Sequence, residues 1–203
     1  MPYDVLLIVA AYLLGSLSTA ILTCRLMGLP DPRGVGSGNP GATNVLRAGG
    51  KKAAIITLAG DLIKGALPVA LTLALGRGQA TAALVGFAAF LGHLYPLYFG
   101  FKGGKGVATA LGAIFGLNPL AGAAVAGTWL GMALVSRISS LSALTAFLCA
   151  PAYLYLLAHS TPASLIMAFM SALIFWRHRR NIRNLAAGSE PRIGGKARAD
   201  STE

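Results

Sequence analysis

The stretch VATALGAIFGLNPLAGAAVAGTWLGMALV, Val107 to Val135, decides how this chain folds. A helix that crosses a bilayer needs about 20 mostly apolar residues. This run is therefore too long for one span and too short for two full ones. Asn118 and Pro119 interrupt it near its middle. Proline fixes its own backbone dihedral and disfavours the helical conformation of the residue before it, so the pair predicts a tight turn between a short helix and an ordinary one. The number of crossings, and the side on which every link lies, depends on that turn.

Outward from it, Val5 to Thr23, Ala53 to Leu75 and Gln79 to Phe99 precede as apolar runs. Ile138 to Leu157 and Ser160 to Trp176 follow, the last with Pro162 in its first turn. Together they predict an all-α integral membrane protein with about seven transmembrane helices. Composition agrees, since 55% of the 203 residues are hydrophobic and only 11% charged, where a soluble domain carries about 25% charged residues. The N-terminal run has no basic segment before it and no small-x-small site after it, so no cleaved signal peptide is expected. Cys24 and Cys149 lie in or beside apolar runs, with no further pair at metal-ligand spacing. Both are read as packing residues, and neither a metal nor a cofactor is expected. No internal repeat is visible.

Seventeen Lys and Arg stand against six Asp and Glu, a formal charge of +11. That balance admits nucleic acid, anionic lipid or phosphorylated small molecules as partners. The basic residues sit in short links and form no extended face, which argues against nucleic acid. With seven spans, Arg25, Arg33, Arg47, Lys51, Lys52, Lys102, Lys105, Arg137, Arg177, Arg179, Arg180, Arg183, Arg192, Lys196 and Arg198 fall on one side. Only Arg77 falls on the other, and Lys64 lies within a span. The positive-inside rule then puts the N-terminus outside and the C-terminus in the cytoplasm. Residues 1–190 are expected to form a single membrane domain, and 191–203 a polar, disordered tail.

The inner links also hold the glycine-rich clusters. In GSGNPGATNVLRAGG, Gly36 to Gly50, Asn39 suits a helix N-cap, Pro40 the first helical position and Gly49 the residue past the end. The spacing predicts a surface helix of about two turns with Thr43, Asn44 and Arg47 on one face. Ahead of it, Gly36 and Gly38 let amides point inward and Ser37 adds a hydroxyl, a composition suited to holding an oxyanion or phosphate at a helix start. A ligand-free surface loop has the same glycines; Arg47 tips the reading toward binding. GFKGGKGVAT, Gly100 to Thr109, resembles a nucleotide phosphate loop, but Phe99 and Gly106 stand where that pattern needs Gly and Ser or Thr. Its physics survives: glycine amides, Lys105 and a helix start, with Lys105 expected to touch phosphate directly. Lys102 is read as following the positive-inside rule. Ser136 and Arg137 break the apolar pattern between two spans. In WRHRRNIRNLAAGSE, His178 and Asn181 share a helix face, while Arg179 and Arg183 point elsewhere; on the residues alone His178 reads as interfacial sooner than as a base. Asp61 and Lys64, three residues apart within a span, are expected to pair and order a cavity floor.

With these residues assembled, the chain resembles the bacterial acyl-phosphate:glycerol-3-phosphate acyltransferase family of the inner membrane. The resemblance runs from the first span to Glu190. GSGNPGATNVLR is similar to the family's first motif, GHLYPLYFGFKGGKGVAT to its second and HRRNIRNLAAGSE to its third, and DLIKGALP and SRISSLSAL are similar to further segments. Asn184 stands where the third motif usually has arginine, so no role for that arginine carries over. The resemblance implies a seven-helix enzyme moving a fatty acyl group from acyl phosphate to the 1-hydroxyl of glycerol-3-phosphate, giving lysophosphatidate and phosphate. It also implies that acyl-CoA and acyl-carrier protein are not donors.

On that basis the amides of Gly103, Gly104 and Gly106, with Ser37 and Asn39, are expected to hold the acyl-phosphate head and the developing oxyanion. Lys105, Ser136 and Arg137 are expected to grip the glycerol-3-phosphate phosphate, with Thr43, Asn44, Arg47, His178 and Asn181 completing a site that Gly36 and Gly38 help to shape. A substrate phosphate oxygen or His178 would take the hydroxyl proton. No His is followed by Asp at the five-residue offset of acyl-CoA acyltransferase dyads. A transporter of phosphorylated solutes would need polar residues at the midplane and outer side, where they are scarce, and a structural scaffold would not need glycine motifs gathered on one face.

Overall fold

The computed structural model describes residues 2–193. Among these, nine α-helices form one bundle: α1 Pro2–Gly15, α2 Thr19–Leu26, α3 Ala42–Ala74, α4 Gln79–Leu94, α5 Val107–Leu117, α6 Pro119–Ser136, α7 Ser139–Ala158, α8 Thr161–Arg177 and α9 Arg179–Ala186. The turn at the centre of the opening stretch forms as read. Asn118 caps α6 by accepting from the Ala121 amide at 2.9 Å, Pro119 follows it, and the Asn118 side-chain amide donates to the Leu157 carbonyl at 3.1 Å. By length and composition α3, α4 continued to Phe99, α6 and α7 are each apolar enough to cross a bilayer, and α1 with α2 adds a fifth span if the bent pair is one. The remaining apolar helices, α5 and α8, are shorter.

Close backbone approach sets the packing. A Cβ on Gly65 would overlap the Thr109 carbonyl and one on Gly112 the Leu62 carbonyl, so α3 and α5 touch through their backbones. The main core lies between α4, α5, α7 and α8, where Phe90, Leu94, Ile114, Phe147, Met167, Met170 and Ile174 are buried.

Two elements differ from the sequence reading. The first span, read as continuous from Val5 to Thr23, is broken at residues 16–18 and bends by 41°. The break is held by the charged pair of the next span. Lys64 Nζ donates to the freed Leu17 carbonyl at 2.8 Å and pairs with Asp61 at 2.8 Å, while Thr19 donates its hydroxyl to Asp61 at 3.0 Å. Irregular backbone at membrane depth is tolerated where such partners satisfy it. The surface helix also starts later than read. Gly41, not Asn39, is its N-cap, and it runs from Ala42 into the long α3 through a kink at Gly50, whose φ of 77° suits only glycine well. Asn39 instead accepts the Gly41 amide on its carbonyl at 2.9 Å.

Of the polar tail, Pro191 to Ile193 are described, and the Ile193 amide donates to the Arg137 carbonyl at 2.7 Å. The expectation of disorder for the rest lies outside the described residues.

Candidate active site

Four links meet at one end of the bundle: 27–50, 95–106, 136–139 and 177–193. Lys105 stands at the centre. Its Nζ donates to Asn181 Oδ1 at 2.6 Å, Asn181 Nδ2 donates to Glu190 Oε1 at 2.6 Å, and the Ser140 hydroxyl donates to the same Glu190 oxygen at 2.6 Å. Glu190 Oε2 is buried and has no hydrogen-bond partner among the described residues. Burial holds the Lys105 ammonium down to about 8, with Arg177 and Arg47 adding repulsion and Glu190 opposing it. The lysine therefore remains mostly charged at neutral pH while standing ready to be stabilised by an anion.

His178 is the joint between α8 and α9. Its Nδ1 lies 2.8 Å from the Ile174 carbonyl, a contact that requires the proton on Nδ1 and leaves Nε2 as an acceptor. Burial first, then the Lys105 charge, lowers its basicity to about 4. The ring is neutral at physiological pH.

Above Lys105, α5 begins at Gly106, which is left-handed at φ 85° and supplies no side-chain cap. The first amides of that helix have no acceptor within it, as at any helix start, and a helix start can bind an anion. The loop is clamped from both sides. Arg177 donates Nε to the Gly104 carbonyl at 3.1 Å and Nη2 to the Gly103 carbonyl at 2.8 Å, and the Gly104 amide donates to the His93 carbonyl at 3.2 Å. A side chain on Gly104 would strike the His93 ring, and His93 Nδ1 in turn lies 3.5 Å from Asp61. The buried Asp61 and Lys64 thus reach the floor of the site through His93.

These contacts revise several expected roles. Asn44, expected at the substrate, is buried and shapes the preceding loop: its Oδ1 accepts the Ser37 amide at 3.0 Å and its Nδ2 donates to the Pro32 and Val35 carbonyls at 2.8 and 3.0 Å. Gly36 fits because a Cβ there would meet that Oδ1. The Gly104 amide is spent on His93. Ser136 donates to the Met132 carbonyl at 2.7 Å and accepts from the Ile138 amide at 3.1 Å, so its hydroxyl closes the end of α6. Arg137 is the left-handed residue ending that helix, with an exposed side chain. Thr43 comes from α3 to within 3.1 Å of the Ser139 hydroxyl, and Arg47 is near enough for its charge to act on Lys105. Ser37 and Gly38 are exposed, Asn39 half-buried, on the loop facing this end.

Sequence reasoning missed Glu190, Arg177, Ser140 and His93. Glu190 carried a signal, being one of only six carboxylates in the chain and lying in its most basic segment. Among the described residues no cluster of His, Cys, Asp or Glu is arranged to hold a metal.

A polar, cation-rich chamber at one end of an apolar helical bundle defines a membrane protein that handles an anionic small molecule. The chain belongs to the glycerol-3-phosphate acyltransferase family, whose model matches residues 5–188. It is 60% identical over 195 residues to a glycerol-3-phosphate acyltransferase of Thioalkalivibrio sulfidiphilus, covering 96% of both chains. To that of Hydrogenovibrio crunogenus it is 59% identical, covering 92% of this chain and 90% of the relative. The fold matches the crystal structure of PlsY, an integral membrane glycerol 3-phosphate acyltransferase, in its glycerol 3-phosphate form, with a TM-score of 0.90, 40% identity and coverage of 95% of this chain and 96% of that one. The lysophosphatidic acid form of PlsY matches with a TM-score of 0.86.

Proposed function

We propose that the protein transfers a fatty acyl group from acyl phosphate to the 1-hydroxyl of glycerol-3-phosphate, releasing lysophosphatidate and inorganic phosphate at the cytoplasmic face of a bacterial inner membrane. The observation that carries this reading is the Lys105–Asn181–Glu190 chain beside His178, under the open start of α5. Family membership supports the acceptor, and the excess of basic residues on the links at this end supports the cytoplasmic orientation.

Acyl phosphate is an activated mixed anhydride, so no covalent acyl-enzyme is needed, and positioning with electrostatic stabilisation carries the reaction. Lys105 and Arg47 hold the phosphate of glycerol-3-phosphate. Glu190 Oε2 and His178 Nε2 are acceptors for the glycerol hydroxyls. As the 1-oxygen bonds to the acyl carbon, the bond from that carbon to the phosphate oxygen breaks and the hydroxyl proton passes to the departing phosphate. A His178 ring with a pKa of about 4 is too weak a base to keep that proton, which favours the phosphate as acceptor. The amides at the start of α5 face the negative charge that develops on the carbonyl oxygen.

The test is purified protein with labelled glycerol-3-phosphate and a choice of donor. Lysophosphatidate should form with palmitoyl phosphate and not with palmitoyl-CoA. Product from the thioester alone would overturn the donor, and movement of glycerol-3-phosphate across a vesicle without product would make the protein a transporter.

A further inference from the structure

Arg177 ends α8 half-buried, and no carboxylate pairs with it among the described residues. A charged group withdrawn from water is costly unless its donors are met. Here backbone meets them: Nε donates to the Gly104 carbonyl at 3.1 Å and Nη2 to the Gly103 carbonyl at 2.8 Å. The guanidinium carbon lies 5.9 Å from the centre of the Tyr95 ring, and the Tyr95 carbonyl accepts the Tyr12 hydroxyl of α1 at 2.9 Å. The arginine is thus held from α8, α4 and α1 together, and what it grips is a pair of glycine peptides. Glycine has the freest backbone of any residue and no side chain to anchor it, so the direction of these peptides depends on their partners.

No peptide among the described residues is cis, and in a trans peptide the carbonyl and the amide that follows it point to opposite sides. The Gly103–Gly104 peptide is held at both ends, its carbonyl by Arg177 and its amide by the His93 carbonyl at 3.2 Å. The Gly104–Lys105 peptide is held at one end only. Its carbonyl is on Arg177, so the Lys105 amide is turned away from the arginine, and that amide makes no hydrogen bond among the described residues. A flip of this peptide would put an acceptor where a donor now stands. We propose that Arg177 is a positioning residue for the reaction: by holding the Gly103 and Gly104 carbonyls it presents the Lys105 backbone amide as a donor to the negative charge that develops on the acyl carbonyl oxygen. The assignment deepens the acyl-transfer reading above and rests on it. Arg177 itself touches no substrate. A donor aimed at charge that exists only in the transition state acts on the rate of the bound complex and not on substrate affinity.

Two variants separate the fork from the charge. Arg177→Lys keeps the charge, and with it the repulsion of Lys105, but a single ammonium does not reproduce the planar two-armed grip; Arg177→Met loses both. With palmitoyl phosphate and glycerol-3-phosphate as substrates, each variant should lower kcat by about a hundredfold, the scale on which one oxyanion donor acts, and leave both KM values unchanged. A lysine variant that keeps most of kcat would show that charge alone matters and overturn the proposal. So would a rise in either KM with kcat retained, which would make the arginine a substrate ligand, or a failure of both variants to fold, which would make it a packing residue. Hydrogen exchange of the segment 100–110 in detergent needs no turnover: the Gly104 amide should exchange faster in Arg177→Met than in wild type, and equal exchange would show that the arginine does not hold the loop. Wild-type protein that makes no lysophosphatidate would overturn the acyl-transfer reading, while the exchange comparison would still report on the grip.

Discussion

Two groups of charged residues lie in this apolar bundle, and they are built differently. In the group around Asp61, the carboxylate meets Lys64, Thr19 and His93, and Lys64 also takes the Leu17 carbonyl. In the group around Lys105, the ammonium has Asn181, but Glu190 Oε2 lacks a partner among the described residues and His178 Nε2 is left as an acceptor. A charged group in a membrane must be paired or face a ligand. The closed group therefore holds helices together, and on the proposed function the open one is where a substrate would complete the pairing.

Breaking the open group should cost chemistry, and breaking the closed one should cost the fold. The largest expected effect is on turnover: Lys105→Ala should lower kcat/KM by about a thousandfold or more, as loss of a principal charge-stabilising group does, while the variant elutes from size exclusion as wild type does. Second, Asp61→Leu strands the Lys64 charge inside the bundle, and removing one partner of a buried pair costs about 3–5 kcal/mol. A clear fall in melting temperature and in yield of folded protein is expected, and a variant of wild-type stability with low activity would place Asp61 in the chemistry instead. Third, Glu190→Gln keeps the size but loses the charge that supports Lys105 and Asn181. Turnover should fall about ten- to a hundredfold by loss of charge-assisted hydrogen bonds, with the melting temperature little changed.

The smallest effect is a pH dependence. Because the lysine at the centre of the site sits near 8 instead of its ordinary 10.5, its charge is present below about pH 8 and is lost as the pH rises through that value. The KM for glycerol-3-phosphate should rise across this range, most at low substrate concentration, since bound phosphate itself holds the proton on. Stability moves the other way: the unfolded chain binds the extra proton between about 8 and 10.5, so the ligand-free protein should gain stability over that interval. A flat KM from pH 7 to 9 would show that this charge does not bind the acceptor.

Much of the closed region and the helical frame was legible in the sequence. Asn118 and Pro119 marked a turn because both act locally, through a cap and a fixed dihedral. Asp61 and Lys64 declared their pairing by spacing along one helix. The break in the first span was not legible, since Ser16 to Ser18 look unremarkable until the Lys64 ammonium, 47 residues away, is seen on the Leu17 carbonyl. The site was legible as a set of loops and less so as contacts. Lys105, His178 and Asn181 gather as read, whereas Asn44 and Ser136 are used up by their own loops, a short-range competition for hydrogen bonds that residue type does not reveal. Glu190 escaped because its partner lies on another link, and a lone carboxylate in a basic tail reads as solvated.

The most direct measurement is equilibrium titration of glycerol-3-phosphate into the protein in lipid nanodiscs, wild type beside Lys105→Ala. One saturable site is expected in the wild type, with affinity at least about tenfold weaker in the variant, the scale of one charge-assisted contact. Equal affinity in the two proteins would contradict the assignment of the open group as the place where the acceptor phosphate binds.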